Sequence, residues 1–188
     1  MFLVTNTKAS LRAAMQARLL AQSQEERRMR SSVIQKKLWT LPVFKKANLV
    51  LFFVSMPEEV DTRGMISEAL AQGKRIAVPA ADLKTKKLLF FEIRDFQRDL
   101  RPGIYEILEP DPAVTKPILL TEVSCVLVPG VVFDQKNHRI GHGAGFYDRF
   151  LKSLDAKVPK VGLAYSFQVV KEVPQESHDV ALDALITD

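Results

Sequence analysis

An unbroken apolar run of strand length, Asn48 to Val54, is followed by a helical pattern from Thr62 to Gln72 that Gly73 stops, and then by a second short apolar run, Arg75 to Val78. A run with no polar alternation marks a strand buried on both faces, as in a parallel sheet covered by helices. Strand, helix and strand in this order form a βαβ unit, because parallel neighbours need a long crossover. The alternation returns downstream. Leu88 to Ile93 and Val123 to Val128 read as strands, a helix is expected from Gly145 to about Leu154, and Val161 to Tyr165 reads as another strand. The predicted fold is an α/β sandwich with a largely parallel sheet.

Two helices lead the chain. Lys8 to Ala21 is rich in Ala, Leu, Arg and Gln and has no Pro or Gly, and Ser23-Gln24-Glu25-Glu26 has the capping-box form that opens a second helix reaching about Trp39. The proline-rich connection from Pro102 to Pro117 reads as a long extended loop over the sheet.

With 188 residues the chain suits one sizeable core, so a single domain over 1–188 is expected. The 47% hydrophobic and 26% charged composition is that of a globular protein rather than a disordered one. No apolar run approaches the roughly 20 residues of a membrane span, and Met1-Phe2-Leu3-Val4 is too short for a secretory signal core. A cytoplasmic protein with no membrane partner is expected. Cys125 lies within an apolar strand and reads as a buried residue, not a catalytic thiol. The formal charge is +5 and the pI near 9.3, but no block of like charge occurs and the densest group, Arg27-Arg28-Met29-Arg30, reads as a solvated helix face. Nucleic-acid binding would need a basic motif interleaved with aromatics, and none is present.

The segment Arg139-Ile140-Gly141-His142-Gly143-Ala144-Gly145-Phe146-Tyr147-Asp148 carries the chemistry. Three alternate glycines let backbone N–H groups approach an anion, and a helix beginning near Gly145 adds the positive end of its dipole. This is a candidate phosphate cradle, with a plain glycine turn as the alternative. It is neither a Walker loop nor a dinucleotide fingerprint. Arg139 supplies a cation before the loop, and Asp148 a carboxylate in the first helical turn, where nucleotide-bound magnesium could be met. Lys8 and Arg12 lie one helical turn apart beside the Leu11, Met15 and Leu19 stripe, so either they face an anionic partner or they snorkel from the core edge. Glu58, Glu59 and Asp61 follow the first strand; they suit gripping ring N–H groups or a metal, or capping the helix from Thr62, a role that fits Asp61 best. A zinc site from His138 and His142 is rejected, since that spacing converges only on a helix and the glycines dictate a loop.

Several blocks together resemble a known family. Pro129-Gly130-Val131-Val132-Phe133-Asp134 and the glycine segment are similar to the signature of 5-formyltetrahydrofolate cyclo-ligases, also called methenyltetrahydrofolate synthetases. Lys8-Ala9-Ser10-Leu11-Arg12, Phe53 to Thr62, Gly103 to Pro110 and His178 to Asp183 resemble further family blocks, in the family's order. The resemblance implies a Rossmann-like sheet of the kind shared with sugar-phosphate isomerases and coenzyme A transferases, and ATP-dependent cyclisation of 5-formyltetrahydrofolate to 5,10-methenyltetrahydrofolate. It implies ATP contacts at Lys8, Arg12, Arg139, Gly141, His142, Gly143, Ala144, Gly145, Phe146 and Tyr147, with Arg139 and Tyr147 in catalysis. It implies folate contacts at Val54, Glu59, His142, Gly143, Ala144, Gly145 and Phe146, and magnesium at Asp148 and Asp179, although Asp179 reads equally as a turn residue. Tyr105 is a candidate to pack against the pterin, with an ordinary loop aromatic as the alternative. A polyglutamylated substrate and a monomeric enzyme are expected. Family members often carry a basic residue after the proline of the second strand, where this chain has Ala80, so Lys84 or another cation must substitute or anion binding there is weaker. His142 stands where tyrosine is frequent, and Ala144 and Phe146 are milder departures. An isomerase or transferase of similar fold, or a basic nucleic-acid-binding protein, are the alternatives.

Overall fold

The computed structural model describes residues 7–103 and 107–188. Two helices, α1 (Lys8–Ala21) and α2 (Gln24–Thr40), are each opened by a capping box, with Thr7 and Ser10 closing the first and Ser23 and Glu26 the second. The short α3 (Pro42–Lys46) leads into strand β1 (Leu49–Leu51). Helix α4 (Thr62–Ala71), capped by the Asp61 carboxylate on the Arg63 N–H, crosses to β2 (Arg75–Asp82). The order continues through β3 (Lys87–Ile93), β4 (Leu100–Pro102), β5 (Leu108–Pro110), β6 (Lys116–Pro117) and β7 (Val123–Val128). The last third comprises β8 (Val132–Asp134), β9 (Arg139–Ile140), α5 (Phe146–Ser153), β10 (Lys160–Ala164), β11 (Val169–Val170) and β12 (Ala184–Thr187).

The main sheet runs β12-β10-β7-β1-β2-β3-β6. Its first five strands are mutually parallel, and β3 and β6 are added antiparallel at one edge. The unbroken apolar runs have the expected cause. Val50, Ile76, Val78, Cys125 and Leu127 face the helices α1 to α4, packing against Met15, Leu19, Ile34, Leu38, Phe44, Met65 and Ile66. Their neighbours Leu49, Leu51, Ala77, Val126 and Val128 face the opposite side, where α5 contributes Phe150 and Leu151. Each strand therefore buries both faces, and the fold is a helix, sheet and helix sandwich.

Three expectations need correction. The Asn48 to Val54 run forms ladder only over Leu49–Leu51; Phe52, Phe53 and Val54 stay buried while the chain leaves the sheet toward the cleft. The Pro102 to Pro117 connection is more regular than an extended loop: β4 pairs with β5, and β6 joins the main sheet beside β3. The Arg27 to Arg30 group is solvated only in part, since Arg30 turns to Asp188 at 3.3 Å and over the Phe167 ring. Cys125 is fully buried as expected, and burial pushes its thiol up to about 12. No helix among the described residues is long and apolar enough to cross a membrane.

Candidate active site

A cleft of about 670 Å³ opens where β1, β2 and β7 release the chain at their carboxyl ends, the usual ligand position in open parallel sheets. One wall is built by the start of α1 through Lys8 and Arg12, another by Val54, Met56 and Glu59 after β1, and a third by Pro79, Ala81 and Leu83 at the end of β2. The floor comes from Arg139 and Ile140 of β9, the loop Gly141 to Gly145 and the first turn of α5, and the segment Glu176 to Asp179 closes one side. Every ATP, folate, catalytic and metal residue that the family resemblance implied within the described residues lines this cleft, whereas Glu58, Asp61 and Lys84 do not. Tyr105 lies outside the described residues.

The glycine loop is poised locally by backbone geometry. Gly143 has φ +107° and Gly145 φ +67°, conformations that a Cβ disfavours, and Gly145 is the N-cap of α5. Among the described residues the backbone N–H groups of His142, Gly143, Ala144 and Gly145 find no acceptor. Those donors adjoin the orphan N–H groups of the first turn of α5, at a helix amino terminus. Arg12 Nε donates to the Gly141 carbonyl at 2.8 Å and its guanidinium covers Gly143, so α1 fixes the loop from outside.

Arg139 is almost wholly enclosed and donates to Asp148 Oδ1 at 2.9 Å. Its Nε and the hydroxyl of Tyr147 are buried without a partner among the described residues. Burial raises the Tyr147 phenol far above its ordinary value, so it remains a neutral donor. Leaving such groups unpaired costs about 1–3 kcal/mol each, which a ligand acceptor would remove. Lys8 Nζ meets Asp179 Oδ2 at 2.6 Å and Glu176 Oε2 at 3.4 Å. Burial pushes the Asp179 carboxyl up, but the Lys8 ammonium and the Glu176 N–H outweigh it and hold the group below its usual range. Lys8 and Arg12 thus point into the cleft and do not snorkel to open solvent.

Across the cleft, Glu59 accepts the Met56 N–H at 2.9 Å through Oε2 and meets His142 Nε2 at 3.0 Å through Oε1. The hydrogen bond that Glu59 accepts from it raises the His142 imidazole against the effect of burial. The two histidines considered as a zinc pair go separate ways, His138 to Asp134 and Gln175, and His142 to Glu59.

Sequence reasoning missed Glu176 and the apolar wall of Leu83, Leu88, Ile107 and Leu108. Glu176 stands three residues before Asp179, whose carboxylate accepts its N–H at 2.8 Å, a turn spacing legible in Glu176-Ser177-His178-Asp179. The four apolar residues gave no signal, because β3 and the strands beside it had first to fold over the cleft. Lys84 is not among the lining residues; it lies in the β2–β3 turn, and the wall beyond Pro79 is apolar apart from Glu109.

An anion-ready loop at the switch from strand to helix, faced by a carboxylate and an apolar wall, is the layout of an α/β enzyme cleft suited to a phosphorylated ligand beside a flat, partly apolar one. The sequence matches the profile of the 5-formyltetrahydrofolate cyclo-ligase family over residues 4–188. A curated relative from Haemophilus influenzae, named 5-formyltetrahydrofolate cyclo-ligase, is 33% identical over 160 residues, covering 84% of each chain. Its namesake in Escherichia coli is 32% identical over 153 residues, covering 80% of this chain and 84% of its own. The solved structure of 5,10-methenyltetrahydrofolate synthetase from Aquifex aeolicus superposes with a TM-score of 0.83 at 32% identity, covering 95% of this chain and 88% of that one. This chain belongs to the 5-formyltetrahydrofolate cyclo-ligase family.

Proposed function

We propose that this protein, as a single-domain enzyme spanning 1–188, closes 5-formyltetrahydrofolate to 5,10-methenyltetrahydrofolate at the expense of ATP. The observation that carries this reading is the glycine loop, with its unpaired N–H groups at the start of α5, surrounded by Lys8, Arg12 and Arg139 in the same cleft as Glu59. Family membership selects it over the isomerase, transferase and nucleic-acid alternatives.

The chemistry follows from a leaving-group problem. The formyl oxygen of an amide does not depart unaided. Transfer of the γ-phosphoryl group to that oxygen releases ADP and makes it part of a phosphate ester. N10 then attacks the formyl carbon and gives up its proton to solvent, the C–O bond breaks and inorganic phosphate leaves, giving the methenyl bridge. Phosphoryl transfer needs alignment and charge neutralisation more than a protein nucleophile. In this reading Lys8, Arg12 and the backbone from Gly141 to Tyr147, including His142, Ala144 and Phe146, bind ATP. Arg139 Nε and the Tyr147 hydroxyl, both unpartnered, meet the oxygens on which charge develops. Val54, Glu59 and the loop residues from His142 to Phe146 hold the folate, with Glu59 accepting from the pterin N–H groups.

Asp148 and Asp179 suit magnesium as hard oxygen donors, for the ion takes one or two carboxylates and completes its shell with phosphate and water. Each gives one oxygen to a cation, Arg139 or Lys8, while Asp148 Oδ2 has no donor among the described residues. Bound there with the nucleotide, the ion would neutralise phosphate charge. A cytoplasmic monomer acting on polyglutamylated folate completes the reading.

The test is absorbance of methenyltetrahydrofolate formed from 5-formyltetrahydrofolate, with ATP and magnesium omitted in turn. Product formation without ATP would reject the mechanism.

A further inference from the structure

The ring of His142 joins the two halves of the cleft. It stands on the phosphate loop between two glycines, yet its one hydrogen bond among the described residues is to Glu59 at 3.0 Å, on the loop that follows β1. Glu59 is nearly enclosed, with 9% of its side chain exposed against 38% for His142. An ionised carboxylate offers about four acceptor positions. His142 and the Met56 N–H take one on each oxygen, so the carboxylate plane is fixed while acceptor capacity remains for a second molecule.

The charges around the imidazole are Glu59 and Glu58 from the loop after β1, and Arg12 from α1. The two carboxylates favour imidazolium, and burial and Arg12 oppose it.

We propose that His142 is a positioning residue for the folate half of the site: its imidazolium clamps Glu59 in the orientation that receives the pterin, and so makes folate binding, but not ATP binding, dependent on pH. This rests on the assignment of Glu59 to folate above. The sign is fixed by the pair. Below the raised imidazole value the clamp is an ion pair; above it the carboxylate keeps its charge but the ring does not, so the contact loses the attraction between two opposite charges and holds Glu59 less firmly.

Steady-state kinetics from about pH 6 to about pH 9 test the idea, spanning the imidazole titration. The KM for 5-formyltetrahydrofolate should rise about five-fold across the limb while the KM for ATP stays level. His142→Gln keeps a donor but cannot be charged, so its folate KM should be independent of pH and lower than that of His142→Ala. Coincident pH profiles for wild type and His142→Gln, or an ATP KM that moves in step, would overturn the proposal. Proton NMR of the free enzyme supplies a readout without turnover: the His142 ring should titrate above ordinary histidine and fall toward it in Glu59→Gln. No change in that variant also overturns the clamp. If instead Glu59→Gln shifts the ring but leaves the folate KM untouched, the assignment of Glu59 to folate has failed and the proposal falls with it.

Discussion

Gly143 and Gly141 lie two residues apart in the same loop, and the structure predicts opposite responses to an added methyl group. Gly143 has φ +107°, and an ideal Cβ there would lie 3.6 Å from the Arg12 guanidinium carbon. The contact itself is ordinary, so the cost of Gly143→Ala is backbone strain, of order 1–3 kcal/mol. For a chain of this size each kcal/mol lowers the melting temperature by about 2–4 °C, and the loop can relax part of the strain. Relaxation would turn N–H groups away from the cleft, so ATP affinity should fall more than stability does. Gly141 does not have a positive φ, and its Cβ would meet only Arg139 Nη1 at 3.7 Å. Gly141→Ala should therefore melt within about 1 °C of wild type or slightly above it, because alanine restricts the unfolded chain. Differential scanning fluorimetry with ATP calorimetry on both variants decides. If Gly143→Ala keeps both melting temperature and ATP affinity, the loop does not use that conformation and the phosphate cradle is wrong. Gly143→Val, with a β-branched side chain, should lose turnover while remaining folded.

Other consequences can be checked separately. Arg12→Ala should weaken nucleotide binding by about ten-fold or more in calorimetry, with a small change in melting temperature; a collapse in stability at normal affinity would make Arg12 a structural residue instead. Asp148→Asn should lower activity strongly, with partial recovery at high magnesium, whereas lost stability with unchanged magnesium dependence would assign the carboxylate to Arg139 alone. Asp134 is fully buried; burial raises its carboxyl, but N–H groups of His138, Val173 and Lys136 and the His138 ring outweigh this and hold it below its usual range. Its contribution is thus complete above the ordinary carboxylate range and lost as pH falls through the lowered value, so Asp134→Asn should melt lower at neutral pH and show a shallower acid limb. Cys125 should react with a thiol reagent only on unfolding, a rate readable against denaturant concentration.

Local sequence determined much of the scaffold, because short-range physics was enough. The capping boxes at Thr7 and Ser23, the Asp61 cap and the two-faced apolar strands each act within a few residues, and the elements they define formed within about one turn of the expected limits. The glycine spacing likewise announced a loop before a helix, although the positive φ at Gly143 and Gly145, and not at Gly141, was read only from the structure. What sequence could not determine was which distant groups meet. Glu59 and His142 are separated by 83 positions, and Lys8 and Asp179 by 171, so their pairing depends on how β1, β9 and the chain after β11 are arranged around the parallel sheet. The same holds for the small β4–β5 and β8–β9–β11 sheets, whose strands are too short to show periodicity and exist because the larger sheet brings their partners alongside. The isolation of Arg139 Nε and the Tyr147 hydroxyl is also a tertiary result, since burial without a partner is a property of surroundings and not of residue type.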